Sequence, residues 1–135
     1  MAFSRLAEEA VDFLAAQGHG TKGTDLFIGI RPPTPAAVVS VTQFGGEPPD
    51  SYLPFVEQVA LQVMSRAATS KDAEEKAYDI FEELHGKGNL TWASHGIMTI
   101  TAIASPGYVG REQLEGPDAY LWSCNYIVAL RRETS

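Results

Sequence analysis

Cysteine is nearly missing from this chain: Cys124 is the single one in 135 residues. An intrachain disulfide is therefore excluded, and so is any zinc site built from paired thiolates. Positive charge is scarce too. Seventeen acids against ten bases leave a formal charge of −7, which argues against a general nucleic-acid binder, whose phosphate contacts need clustered Lys and Arg. No apolar run approaches the ~20 residues of a membrane-spanning helix, so no membrane partner is expected. The opening "MAFSRLAEEAVDF" carries acids early and no small-residue cleavage site after an apolar run. It does not read as a secretion signal, and the chain is expected to stay where it is made, in the cytoplasm. Internal repeats and low-complexity tracts are lacking as well.

What is present is an ordinary globular composition, 44% apolar and 20% charged. The length fits one domain over residues 1–135, able to bury roughly two-thirds of its unfolded surface without staples.

Hydrophobic spacing predicts a first helix over 3–17, with Ser4 as N-cap, Gly18 as stop, and Phe3, Leu6, Ala7, Ala10, Phe13 and Leu14 on its apolar side. Alternation predicts strands at 25–30, 36–44 and 56–67, the last with Val59, Leu61 and Val63 facing one way and Ala60, Gln62 and Met64 the other. A second helix spans 69–88: Thr69 and Asp72 make its start signature, Ala73, Ala77, Ile80, Phe81 and Leu84 its stripe, and Gly86 its stop. Two further strands follow. Residues 96–104 point Met98, Ile100 and Ala102 to one side, and 120–130 align Tyr120, Trp122, Cys124, Tyr126, Val128 and Leu130. The order α-β-β-β-α-β-β is that of an α+β domain, a mostly antiparallel sheet with two helices on one face and water on the other.

The motifs that could carry chemistry fail on context. Gly18, Gly20 and Gly23 spell G-x-G-x-x-G, but a dinucleotide fingerprint follows a strand and opens a helix, and here a helix precedes and a strand follows. They read as a helix stop and a joint. Glu82 and His85 form one E-x-x-H, whereas a carboxylate-bridged di-metal site needs two. His85, in the last helical turn, reads as a partner for the helix dipole. His19 and His95 lack spaced partners, Cys124 is in phase with the apolar face, and no G-x-S-x-G elbow exists. No cofactor, metal or catalytic residue is expected. "PPTP" at 32–35 fits a polyproline ligand pattern but reads as a strand stop.

Two features remain. The long Pro- and Gly-rich connections 45–55 and 105–119 carry Tyr52, Leu53, Phe55, Tyr108 and Val109, aromatic and apolar residues that suggest contact with another chain. The outer face of the second helix carries Asp72, Glu75, Asp79 and Glu82, by default a solvated acidic face.

The stretches "FLAAQGHGTKGTDLFIG", "VVSVTQFGGEPPD" after a Pro-Pro break, "VEQVALQVMSRA", "DAEEKAYDIFEELHG" with its trailing "NLTW", and "SPGYVGRE…NYIVALRR" follow one another over nearly the whole chain. As an ordered set they resemble the minor-capsid or tail-completion proteins known as tail terminators of long-tailed phages. The resemblance implies a non-enzymatic virion protein, made in the host cytoplasm. It would form a ring with copies of itself, usually six, on the head-proximal end of the tail tube. Its partners would be the major tail-tube protein and the neck proteins of the head–tail connector, with DNA only passing through the channel. Where relatives carry charged residues in the third strand, Gln62 and Met64 stand here, and no interface residue is carried over.

On that basis the Glu75, Asp79 and Glu82 face is expected near the channel, where a −7 protomer repels phosphate. The loops 45–55 and 105–119 are expected to bridge neighbouring subunits or the tube, so deleting 107–116 would abolish the ring and leave a folded monomer. The rival readings are a head–tail connector or neck adaptor, which also forms rings, and a small cytoplasmic enzyme or ligand-binding domain using the glycine joint and His19.

Overall fold

A computed structural model describes residues 6–33, 35–44, 56–92, 95–114 and 116–131. Its elements run α1 (Leu6–Ala16), β1 (Leu26–Ile28), β2 (Val38–Phe44), β3 (Val56–Ala67), α2 (Ser70–Leu84), β4 (Gly88–Trp92), β5 (His95–Ala102), β6 (Gly107–Glu112) and β7 (Ala119–Arg131). The fold is α+β, as the alternation and helical stripes require. Ser4 and Phe3 lie outside the described residues.

β2, β3 and β7 follow their alternation. Val39, Val41, Val59, Leu61, Val63, Cys124, Tyr126, Val128 and Leu130 turn to one face of the sheet and join Leu6, Ala10, Val11 and Leu14 of α1 and Ile80 and Leu84 of α2 in one core. Both helices therefore cover the same face. Thr69 Oγ1 accepts the Asp72 amide at 3.1 Å and starts α2, satisfying one of its free N-terminal donors. Gly86, at φ +81°, turns the chain out beyond the His85 cap.

The sheet order is β1-β2-β3-β7-β5-β4, with β6 also on β7. β7 is the spine: one edge pairs with β3, and the other pairs first with β6 and then, further along, with β5. All pairs are antiparallel except β1 with β2. A parallel pair needs a crossover, and here it is the Pro-rich connection after Gly29. "RPPTP" ends β1, as expected, and also carries the chain back across the sheet to β2.

Two strands join the five that alternation reveals. β4 is short and begins at Gly88 and Asn89, the latter at φ 54°, a start no strand pattern signals. β6 lies inside 105–119, which is therefore not a connection without structure of its own. In β5 a bulge between Ile97 and Thr99 shifts the phase, because an extra residue re-aims the side chains beyond it. Ile97, not Met98, consequently joins Ile100 in the core.

Candidate functional site

The densest polar assembly lies on the sheet face away from the helices. Arg66 leaves β3 on that face, and its side chain is 0% exposed. A crossover with three prolines, Pro32, Pro33 and Pro35, leaves carbonyls that must be satisfied. Arg66 satisfies them: Nε donates to the Ala36 carbonyl at 3.0 Å, and Nη2 donates to those of Pro32 and Pro35. Nη1 donates to Glu112 of β6 at 2.5 Å. Arg31 grips the other carboxylate oxygen through Nη2 at 2.8 Å and Nε at 3.2 Å, and its Nη1 reaches the Met64 sulfur at 3.1 Å. Burial pushes the Glu112 carboxyl up, but the hydrogen bonds and charges of Arg31 and Arg66 outweigh it and hold it below its usual value. The cluster is a clamp tying the crossover to β6.

The other polar groups have structural duties. Gly20, at φ +153°, belongs to a turn in which the Thr21 amide donates to Asp25 Oδ1 at 2.6 Å. A Cβ on Gly20 would come 2.6 Å from that oxygen, so this glycine has a packing reason. His19 pairs with Glu83 at 3.0 Å, and its carbonyl accepts from Lys76 at 2.5 Å; together they fasten the joint to α2. His85 has partners of its own beyond the helix end: its Nδ1 accepts the Ala102 amide at 2.9 Å and its ring stacks on Phe81. Cys124 donates to the Ala104 carbonyl at 3.3 Å, and burial pushes its thiol and the Tyr126 phenol up.

Of the residues expected at subunit contacts, Tyr52, Leu53 and Phe55 lie outside the described residues. Tyr108 and Val109 stand on β6, 54% and 50% exposed. Tyr108 meets Trp122 edge-on with ring centroids 6.1 Å apart, and the Trp122 indole donates to Ser70 Oγ at 3.1 Å, which ties β6 to the start of α2. The outer edge of β6 pairs with no strand among the described residues. Glu75, Asp79 and Glu82 are all exposed on α2, away from the buried Ala73, Ala77, Ile80 and Leu84. Sequence reasoning missed Arg66 and Glu112; a charged residue within an alternating strand was the available signal.

A pocket of about 320 Å³ opens where the glycine joint, the start of β2, the end of β3 and the first turns of α2 converge. Small residues from 36–39 and 67–68 line it together with the buried Arg66, and His19, Asp25, Asp72 and Lys76 complete the lining. Among the described residues no three His, Cys, Asp or Glu side chains are grouped to hold a metal ion.

The polar clusters of this small α+β fold fasten its own loops, and Tyr108 and Val109 on the β6 edge are exposed, as are Ile30, Phe44, Tyr78 and Ile103 elsewhere. The family model for bacteriophage tail terminator proteins matches residues 13–132, and the chain belongs to that family. The family is structural and not enzymatic, which makes this a structural tail protein of a phage-type virion that associates with other virion proteins. Among solved structures, a chain described as "Virion of native gene transfer agent (GTA) particle" superposes with a TM-score of 0.52 at 17% identity, over 81% of this chain and 80% of that one. That likeness is one of fold. No curated protein matches the chain by sequence.

Proposed function

We propose that the protein closes into a ring with copies of itself on the head-proximal end of the tail tube, where it stops tube growth and offers a surface for head joining. The observation that carries the reading is β6: a strand edge unpaired among the described residues, bearing exposed Tyr108 and Val109, on a chain of the terminator family. Monomers that remain alone blunt or cover such edges. Six copies, the tube protein and the neck proteins are the assembly and partners proposed, and Glu75, Asp79 and Glu82 are proposed to face the channel. There they repel passing DNA enough to keep it from sticking.

Negative-stain imaging of the protein mixed with tails tests this. A single ring density at one tail end, lost with Tyr108→Ser and Val109→Ser together, is the expected result. Density on the head's portal and none on tails would instead make it a neck adaptor. A ring with α2 on its outer rim would refute the channel assignment.

A further inference from the structure

The sheet register sets the pocket and β6 at one height on opposite flanks of α2. Tyr108 is opposite Trp122, Trp122 opposite Ser65, and Ser65 opposite Val39, a pocket wall. Arg111 is opposite Tyr120, and Tyr120 is opposite Ala67, another pocket wall. The bulge between Tyr108 and Gly110 matters here. In a regular strand, residues three apart point to opposite faces. The extra residue lets Tyr108 and Arg111 both project on the helix side while Glu112 turns back to Arg66.

The two flanks are unlike and complementary. On the β6 flank, the Arg111 side chain is 63% exposed, and its ion pair with Asp118 spans 4.0 Å, a contact of little strength. On the other flank, small side chains line a recess rimmed by Asp25 and Asp72 and also by His19, Lys76 and Arg66; Arg66 is engaged by Glu112 and three carbonyls, and Lys76 by the His19 carbonyl. The Asp72 carboxylate is exposed. Copies carrying −7 each repel one another unless a cation of one meets acids of the next.

We infer that a second copy of this chain seats Tyr108 and Arg111 of its β6 in the pocket beside the α2 N-terminus, with Arg111 facing Asp25 and Asp72. Each copy then presents a projection on one flank and a recess on the other. Such a contact is heterologous, and repeated by rotation it closes a ring. The inference rests on the ring reading and adds its contact surfaces.

Charge reversal on the full chain tests it, with mass read by light scattering during size exclusion. Wild type is expected to run above its 14.6 kDa monomer mass. Arg111→Glu and Asp72→Lys each create like charges and should weaken association by about a hundredfold, leaving monomers that melt cooperatively. The chain carrying both reversals should assemble again. Tyr108→Ser, which reverses no charge, should weaken assembly without this rescue. If both reversals assemble like wild type, the pocket is not the contact while the ring reading stands. If the double reversal fails to recover what the single ones lose, the pairing is overturned. A wild type that stays monomeric with and without tails overturns ring and pocket together.

Discussion

Arg66 and Glu112, 46 positions apart in sequence, meet at 2.5 Å, and the guanidinium that meets the carboxylate has no exposed side-chain surface. A buried charge of this kind is costly when its partner is removed, whatever the pair is worth intact.

Glu112→Gln should therefore destabilise the fold by about 3 kcal/mol, the lower end of the range for orphaning one member of a buried pair. Arg66→Ala should cost at least as much, because the Pro32, Pro35 and Ala36 carbonyls lose their donor as well. Urea unfolding midpoints at unchanged m-value check both. The same contact revises one expectation. Deleting 107–116 would remove a sheet strand and Glu112, so it would unfold the domain and say nothing about assembly.

The clamp also sets a pH response. Glu112 titrates below its ordinary value of 4.5 in the folded chain. Its contribution to stability is thus fully present above the unfolded value and is lost as pH falls through the lowered folded one. Wild-type stability should fall across that acidic window more steeply than that of Glu112→Gln, as measured by denaturant titrations at stepped pH. Equal slopes would mean that the arginines do not govern the carboxyl.

The start of α2 offers a smaller effect. Thr69→Ala removes the acceptor for the Asp72 amide and should cost about 1 kcal/mol. Thr69→Ser should recover most of it, which a thermal melt resolves.

In the glycine joint, Gly20→Ala should be more damaging than Gly23→Ala. Both positions have positive φ, but a Cβ at Gly20 meets Asp25 and Leu26, while at Gly23 it meets open space. Strain alone costs roughly 1 kcal/mol; the clash adds to it at Gly20. Comparable melting temperatures for the two variants would count against this packing role.

Much of this architecture was legible in order and alternation. β2, β3 and β7 announce themselves because each has one face on the core, and α2 because its cap, stripe and stop coincide. β4 and β6 do not, since each is an edge strand punctuated by glycine with little to alternate against. The phase of β5 was misread because a bulge leaves no residue signature of its own. The clamp was invisible for a different reason. Arg66 looks like any surface cation until the crossover folds over it, and that depends on a residue 46 positions away. Tyr108 and Val109 were legible as exposed apolar groups, but their strand, and the recess at the same height, appear only with the register.

β7 is the last strand in sequence, yet β3, β5 and β6 all pair with it. On the ribosome, then, the sheet has no centre until residue 119 onward has emerged, and unpaired edges must be tolerated in the meantime. Such long-range closure is slow. A chain lacking this strand would leave the inner edges of β3, β5 and β6 without their shared partner and could not complete its own sheet.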